Sequence, residues 1–249
     1  MVGVHGRIIN CVKLPRYAEA KFRYNFFMDK LNLVQQISVA ALPLLFAITL
    51  HEVAHGWAAK QLGDKTAMML GRLTLNPLKH IDPVGTILVP GLLILSGFIF
   101  GNGLGFIFGW AKPVPVNWDQ LRNPKRDMAL VAVAGPLANF MMALLWAFFA
   151  KLAIELQSPF ASEPMLFMGG IGISINLILM VLNLLPIPPL DGSRVVSSVL
   201  SGPLAWKYNR IEPYGFLILM GLLVTGILGP VLSYPLPALQ QMVTRLAGL

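Results

Sequence analysis

Ile37-Ser-Val-Ala-Ala-Leu-Pro-Leu-Leu-Phe-Ala-Ile-Thr-Leu50 runs directly into His51-Glu52-Val53-Ala54-His55, and residues 37–50 carry no charge. Continued to about residue 60, the run is long enough to cross the ~30 Å hydrocarbon core of a bilayer as a helix. On that helix His51 and His55 lie about 40° apart around the axis and about 6 Å apart along it, so they share a face and can hold one metal ion. Glu52 lies beside them, placed to take a proton from a water polarised at that metal. Ionisable groups at membrane depth cost roughly 2.5–3.5 kcal/mol or more each, and they mark function. The competing reading is two histidines satisfied by hydrogen bonds inside a helix bundle.

The rest of the chain agrees with a membrane setting. Of its 249 residues, 56% are hydrophobic and 12% charged, against about 45–50% and 25% in soluble domains. That composition indicates an all-α polytopic membrane protein. The net charge of +8 does not point to nucleic acid, because the basic residues are spread over short loops between apolar runs. Cys11 is the only cysteine, which excludes an internal disulfide, and it lies far from the other candidate ligands. Residues 1–34 read as a basic extension with Arg7, Lys13, Arg16, Lys21, Arg23 and Lys30. It lacks the apolar core of a signal peptide, and Met28 is an alternative start. Residues 35–232 read as one membrane domain and 233–249 as a C-terminal tail.

Apolar runs at about 35–60, 84–108, 128–152, 166–188 and 214–232 are each long enough for a span. Between them, 67–75 alternates as a short strand would, and 111–117 reads as an edge strand because Pro113 and Pro115 cannot sit inside a sheet. Loop charge sets the expected orientation. Lys60, Lys65, Arg72 and Lys79 fall in 60–83; Lys112, Arg122, Lys125 and Arg126 in 109–127; Arg194, Lys207 and Arg210 in 191–213. Residues 152–167 hold only Glu155 and Glu163. The first three loops are therefore expected in the cytoplasm and the last outside. The run 84–108 then starts and ends on one side, so it is expected to be re-entrant or split, broken by Pro90, Gly91, Gly97, Gly101, Gly103 and Gly105. The expected architecture is a bundle of about four full spans plus that segment, with short β-strands near the membrane surface.

A catalytic metal needs a third protein ligand. His80, in a basic loop, reads as structural or interfacial. Asp191 is the best-placed carboxylate: Pro186, Pro188 and Pro189 break the preceding helix and Gly192 permits a turn that aims it back into the bundle. Its alternative is a cap for a helix starting at Ser193.

With these residues in hand, the chain resembles the site-2 protease family of intramembrane zinc metalloproteases. The match is to compact bacterial and archaeal members without a PDZ domain. It rests on HEVAH at 51–55, Ala134-Gly135-Pro136-Leu137-Ala138-Asn139, and Asn183-Leu-Leu-Pro-Ile-Pro-Pro-Leu-Asp191-Gly192. Stretches 71–77 and 108–117 add to it, and the resemblance covers roughly 35–230 in order.

The resemblance implies one zinc per chain bound by His51, His55 and Asp191, with Glu52 as general base and proton donor. It also implies a role for Asn183 in binding substrate or stabilising the oxyanion, against the alternative of an interhelical hydrogen bond. Asn139 and Asn176 favour that alternative more strongly. Gly135-Pro136 reads as a tight helix start that lets its span approach the site closely.

The expected function is regulated intramembrane proteolysis of a membrane-protein substrate at the cytoplasmic side of the cell membrane, with the bilayer as the other partner. The rival is a non-catalytic zinc-binding transporter or sensor, which has no need of a base beside His51.

Overall fold

The computed structural model describes residues 33–92, 95, 109–156, 158 and 161–249. Residues 1–32 and 96–108, and with them most of the basic extension, Cys11 and the glycine breaks from Gly97 onward, lie outside the described residues.

Among the described residues, three helices are long and apolar enough to cross a membrane. They are α1 (Leu33–Gln61), α3 (Pro124–Leu156) and α4 (Ser162–Asn183). Their mean hydropathies are 1.8, 2.0 and 2.2. At about 1.5 Å per residue α1 and α3 exceed the hydrocarbon core, so their polar ends project beyond it. The protein is therefore an all-α, multi-pass membrane protein. α3 is the central element, packing against α1, α4, α5 (Asp191–Val199) and α9 (Leu236–Ala247).

Small residues let α3 and α4 approach closely, the usual device where lipid supplies no hydrophobic drive between helices. A Cβ at Gly172 would lie 2.3 Å from the Trp146 ring, and one at Gly169 2.7 Å from Ala150. The resulting core joins Met142, Ala143, Trp146 and Ala147 of α3 to Ile173 and Leu177 of α4 and to Val243 and Ala247 of α9.

The apolar run 214–232 does not form one straight span. α6 (Gly202–Asn209) and α7 (Gly215–Val224) lie on one arm; α8 (Leu228–Ser233) and α9 on the other, with an 87° bend between. Gly226 makes the break, at φ +74, a conformation other residues rarely adopt.

The two expected β-strands are not formed. Residues 66–69 are a helical turn, α2 (Thr66–Met69). After it the amides of Leu70, Gly71 and Arg72 bond back to Thr66, Met68 and Ala67, so none is free for a ladder. Alternation of apolar residues was a misleading cue, because local bonds satisfied the backbone first. Residues 109–117 run without regular secondary structure and pair with no strand. Pro113 and Pro115 have no N–H, and several remaining amides are claimed by other groups. Lys112 donates to the His80 carbonyl, Val114 to Glu52 and Asn117 to Asp64. Arg72 donates to the carbonyls of Lys112 and Pro113. This strip is thus stitched to α1 and the following loop by side chains. The described part of 84–108 begins as a π-helical turn, Pro83–Leu88, capped by Asp82.

Candidate metal centre

His51 and His55 sit on the buried face of α1, at 8% and 9% exposure. α3 crosses that face antiparallel to α1. Three α3 positions spaced by four meet the two imidazoles. His55 Nδ1 donates to the Val131 carbonyl at 2.7 Å, and His51 Nδ1 donates to Asn139 Oδ1 at 2.6 Å. Gly135 lies between, where a Cβ would come within 2.3 Å of His55 Nε2. Pro136 lacks the N–H that would bond the Ala132 carbonyl, which loosens α3 at this turn.

Asp191 arrives from the other end of the chain. α4 ends at Asn183, and a Cβ at Gly192 would lie 2.2 Å from the Leu184 carbonyl oxygen, so only glycine permits the fold-back. Helix α5 begins at Asp191 itself, and its N-cap position, Leu190, makes no side-chain cap. The carboxylate is therefore not the cap of a helix starting at Ser193. A carboxylate in a helix's first turn is favoured by the helix dipole, and this one turns toward the imidazoles.

His51 Nε2, His55 Nε2 and Asp191 Oδ2 form a triangle with sides of 3.0, 3.2 and 3.3 Å. The edge of a tetrahedron built on zinc–ligand distances of about 2.0–2.1 Å is about 3.3 Å, so the donor set fits zinc. Two further observations agree. Both Nδ1 atoms face carbonyl oxygens and must carry the imidazole protons, which leaves each neutral ring's Nε2 lone pair turned inward. Asp191 Oδ2 is buried and accepts no hydrogen bond. Three acceptors converging with no donor between them are unfavourable unless a cation joins them.

Glu52, half-buried, is held by the strip 109–117: its Oε2 accepts the Val114 N–H at 2.7 Å. Asn183 remains with its own helix, its Nδ2 donating to the Leu179 carbonyl at 3.0 Å. His80 is buried and bonded through Nε2 to the Thr74 carbonyl, a structural placement. Sequence reasoning gave no signal for Val114. Asn139 makes the interhelical bond that the sequence favours for it, to Asn176, and in addition meets His51, for which its place four residues after Gly135 on α3 is the clue.

The pattern of Peptidase family M50 matches residues 151–225, a stretch containing Asn183 and Asp191. The chain is 38% identical over 197 residues to a Bacillus subtilis protein carrying the provisional name zinc metalloprotease YwhC, covering 78% of this chain and 83% of that one. It is 32% identical over 184 residues to the similarly designated zinc metalloprotease Rip2 of Mycolicibacterium smegmatis, covering 74% and 66%. A relative in Methanocaldococcus jannaschii with the same designation is 36% identical over 130 residues, 50% of this chain and 62% of that one. No solved structure matches the chain. On the extent of these likenesses, the chain belongs to peptidase family M50, the site-2 protease family.

Proposed function

We propose that this intramembrane zinc metalloprotease binds its metal through His51, His55 and Asp191 and cuts a membrane-protein substrate with Glu52 as the general base. The observation that carries the reading is the 3.0–3.3 Å triangle of three inward-facing acceptors. Zinc held there supplies Lewis acidity toward a water and toward the scissile carbonyl.

Glu52 Oε2 is occupied by the Val114 amide, which leaves Oε1 to take the proton of the attacking water. The same carboxyl then gives that proton to the leaving amide nitrogen, so the carboxylate is regenerated as the peptide bond breaks. Asn183 turns its amide from Leu179 toward the oxyanion that develops on the carbonyl. The substrate must present an extended peptide, since a helical carbonyl is already hydrogen-bonded.

The finer architecture follows the charge pattern. Lys60 at the end of α1 and Lys125 and Arg126 at the start of α3 share one end of the bundle, because His55 and Val131 pair there. We place that end in the cytoplasm of the cell membrane, with 152–167 outside. The bent pair, α6–α7 and α8–α9, forms the fourth span. The protease domain extends past residue 232, where the charge and hydropathy pattern alone would end it, because α9 packs into the same core through Val243 and Ala247. The biological role is regulated intramembrane proteolysis.

The test compares membrane proteomes of cells carrying wild type and Glu52→Gln. A span-containing protein should accumulate uncut in the variant while zinc content is retained. Normal cleavage of that substrate by Glu52→Gln would end the reading.

A further inference from the structure

The geometry points to Asn139 as a positioning residue that fixes His51 for the metal, held in turn by Asn176. The inference rests on the proposed role of His51 as a ligand. Both asparagines are fully buried, one on α3 and one on α4. Asn139 Oδ1 accepts from His51 Nδ1 at 2.6 Å. Asn139 Nδ2 donates to the Ala47 carbonyl at 3.2 Å and to Asn176 Oδ1 at 3.0 Å, and Asn176 Nδ2 donates to the Gly172 carbonyl at 2.8 Å.

The direction of this chain is forced. Backbone carbonyls only accept, so Gly172 fixes which end of the Asn176 amide is nitrogen. The Asn176 oxygen and Ala47 carbonyl then fix the Asn139 amide the same way. Only the Asn139 oxygen remains for His51, so the imidazole proton must sit on Nδ1. Nε2, the atom 3.0 Å from His55 Nε2 and 3.2 Å from Asp191 Oδ2, is left unprotonated. Two backbone carbonyls on α1 and α4 thus select the metal-binding tautomer of a histidine on α1 through two amides. Partners of this kind commonly change metal affinity by about 10–100-fold when removed.

A purely structural role makes a different prediction, because as glue between helices the Asn139 donors matter most. Asn139→Asp keeps an acceptor for His51 but loses both donors, whereas Asn139→Leu loses everything at similar volume. Zinc affinity of the detergent-solubilised full chain is measured by chelator competition, with the visible spectrum of the cobalt-substituted protein as a reading of ligand geometry. Asn139→Leu should bind zinc about 10–100-fold more weakly with a shifted cobalt spectrum. Asn139→Asp should stay within about threefold of wild type.

Equal loss in both variants, or wild-type affinity in a folded Asn139→Leu, overturns the inference. Nitrogen NMR of His51 in the metal-free wild type provides a test that needs no variant: Nδ1–H is expected whether or not Nε2 also takes a proton, and a bare Nδ1 with the proton on Nε2 alone overturns it. His51→Ala separates this from the underlying assignment, since wild-type zinc binding in that variant sinks the ligand set itself.

Discussion

Gly135 touches His55 more closely than any side chain could: a Cβ there would fall 2.3 Å from Nε2 and 2.6 Å from Cε1 of His51. The backbone of α3 is therefore the wall against which both imidazoles are set. Gly135→Ala should raise helix propensity by about 1 kcal/mol, leaving α3 intact, while displacing the two nitrogens. We expect zinc affinity to fall at least about tenfold with the helical circular dichroism unchanged. Zinc bound as tightly as in wild type would show that the imidazoles can move aside freely.

Asp191 closes the triangle with a buried oxygen that accepts no hydrogen bond. Purified wild type should carry about one zinc per chain, and Asp191→Ala should lose most of it on mild chelation, since two imidazoles alone make a weak site. Metal analysis after dialysis decides the point; an unaltered zinc content would remove Asp191 from the centre.

Asn183 tests the oxyanion role. Its amide now bonds to Leu179 within α4, so Asn183→Ala should neither unfold the chain nor release zinc. If the amide reaches the reacting carbonyl, kcat should drop by about 10²–10³. A kcat equal to wild type would leave Asn183 as a helix-end residue only.

Arg72 braces the strip that holds Glu52, donating to the carbonyls of Lys112 and Pro113 at 2.9 and 3.3 Å. Charge-assisted bonds of this kind contribute about 1.5–3 kcal/mol. Arg72→Leu should therefore lower kcat/KM about tenfold or more without changing zinc content. Loss of zinc together with activity would mean that the strip supports the whole bundle and not the position of Glu52.

Orientation is open to cysteine labelling after Cys11→Ser. Ser158→Cys should react with an impermeant reagent added outside, and Arg122→Cys only once the cytoplasmic face is opened. The reverse pattern would invert the proposed topology.

Much of this protein is legible without tertiary information. The uncharged stretch 37–50 and the apolar runs of α3 and α4 announce a helical membrane protein, because water and hydrocarbon sort residues by local composition alone. The four-residue spacing of His51 and His55 places two imidazoles on one helix face, since helical periodicity is also local. Alternation at 67–75 failed as a cue for a strand, because pairing needs a partner strand and the amides there found local acceptors instead. The run 214–232 failed as a single span at Gly226, whose positive φ follows from packing that composition does not record.

The chain's own pattern therefore determined the membrane setting, the helix class, the zinc-protease family and the pair of histidines. What only the tertiary structure decided is how the pair is completed and held. The Asp191 carboxylate and the Asn139 and Val131 acceptors come from α5 and α3, the last two 88 and 76 positions from their histidines. The amide that anchors Glu52 comes from a strip 62 positions away. Contacts across such separations depend on how close Gly135, Gly172 and Gly192 allow the helices and turns to come. That closeness belongs to the packed bundle, not to any local stretch of sequence.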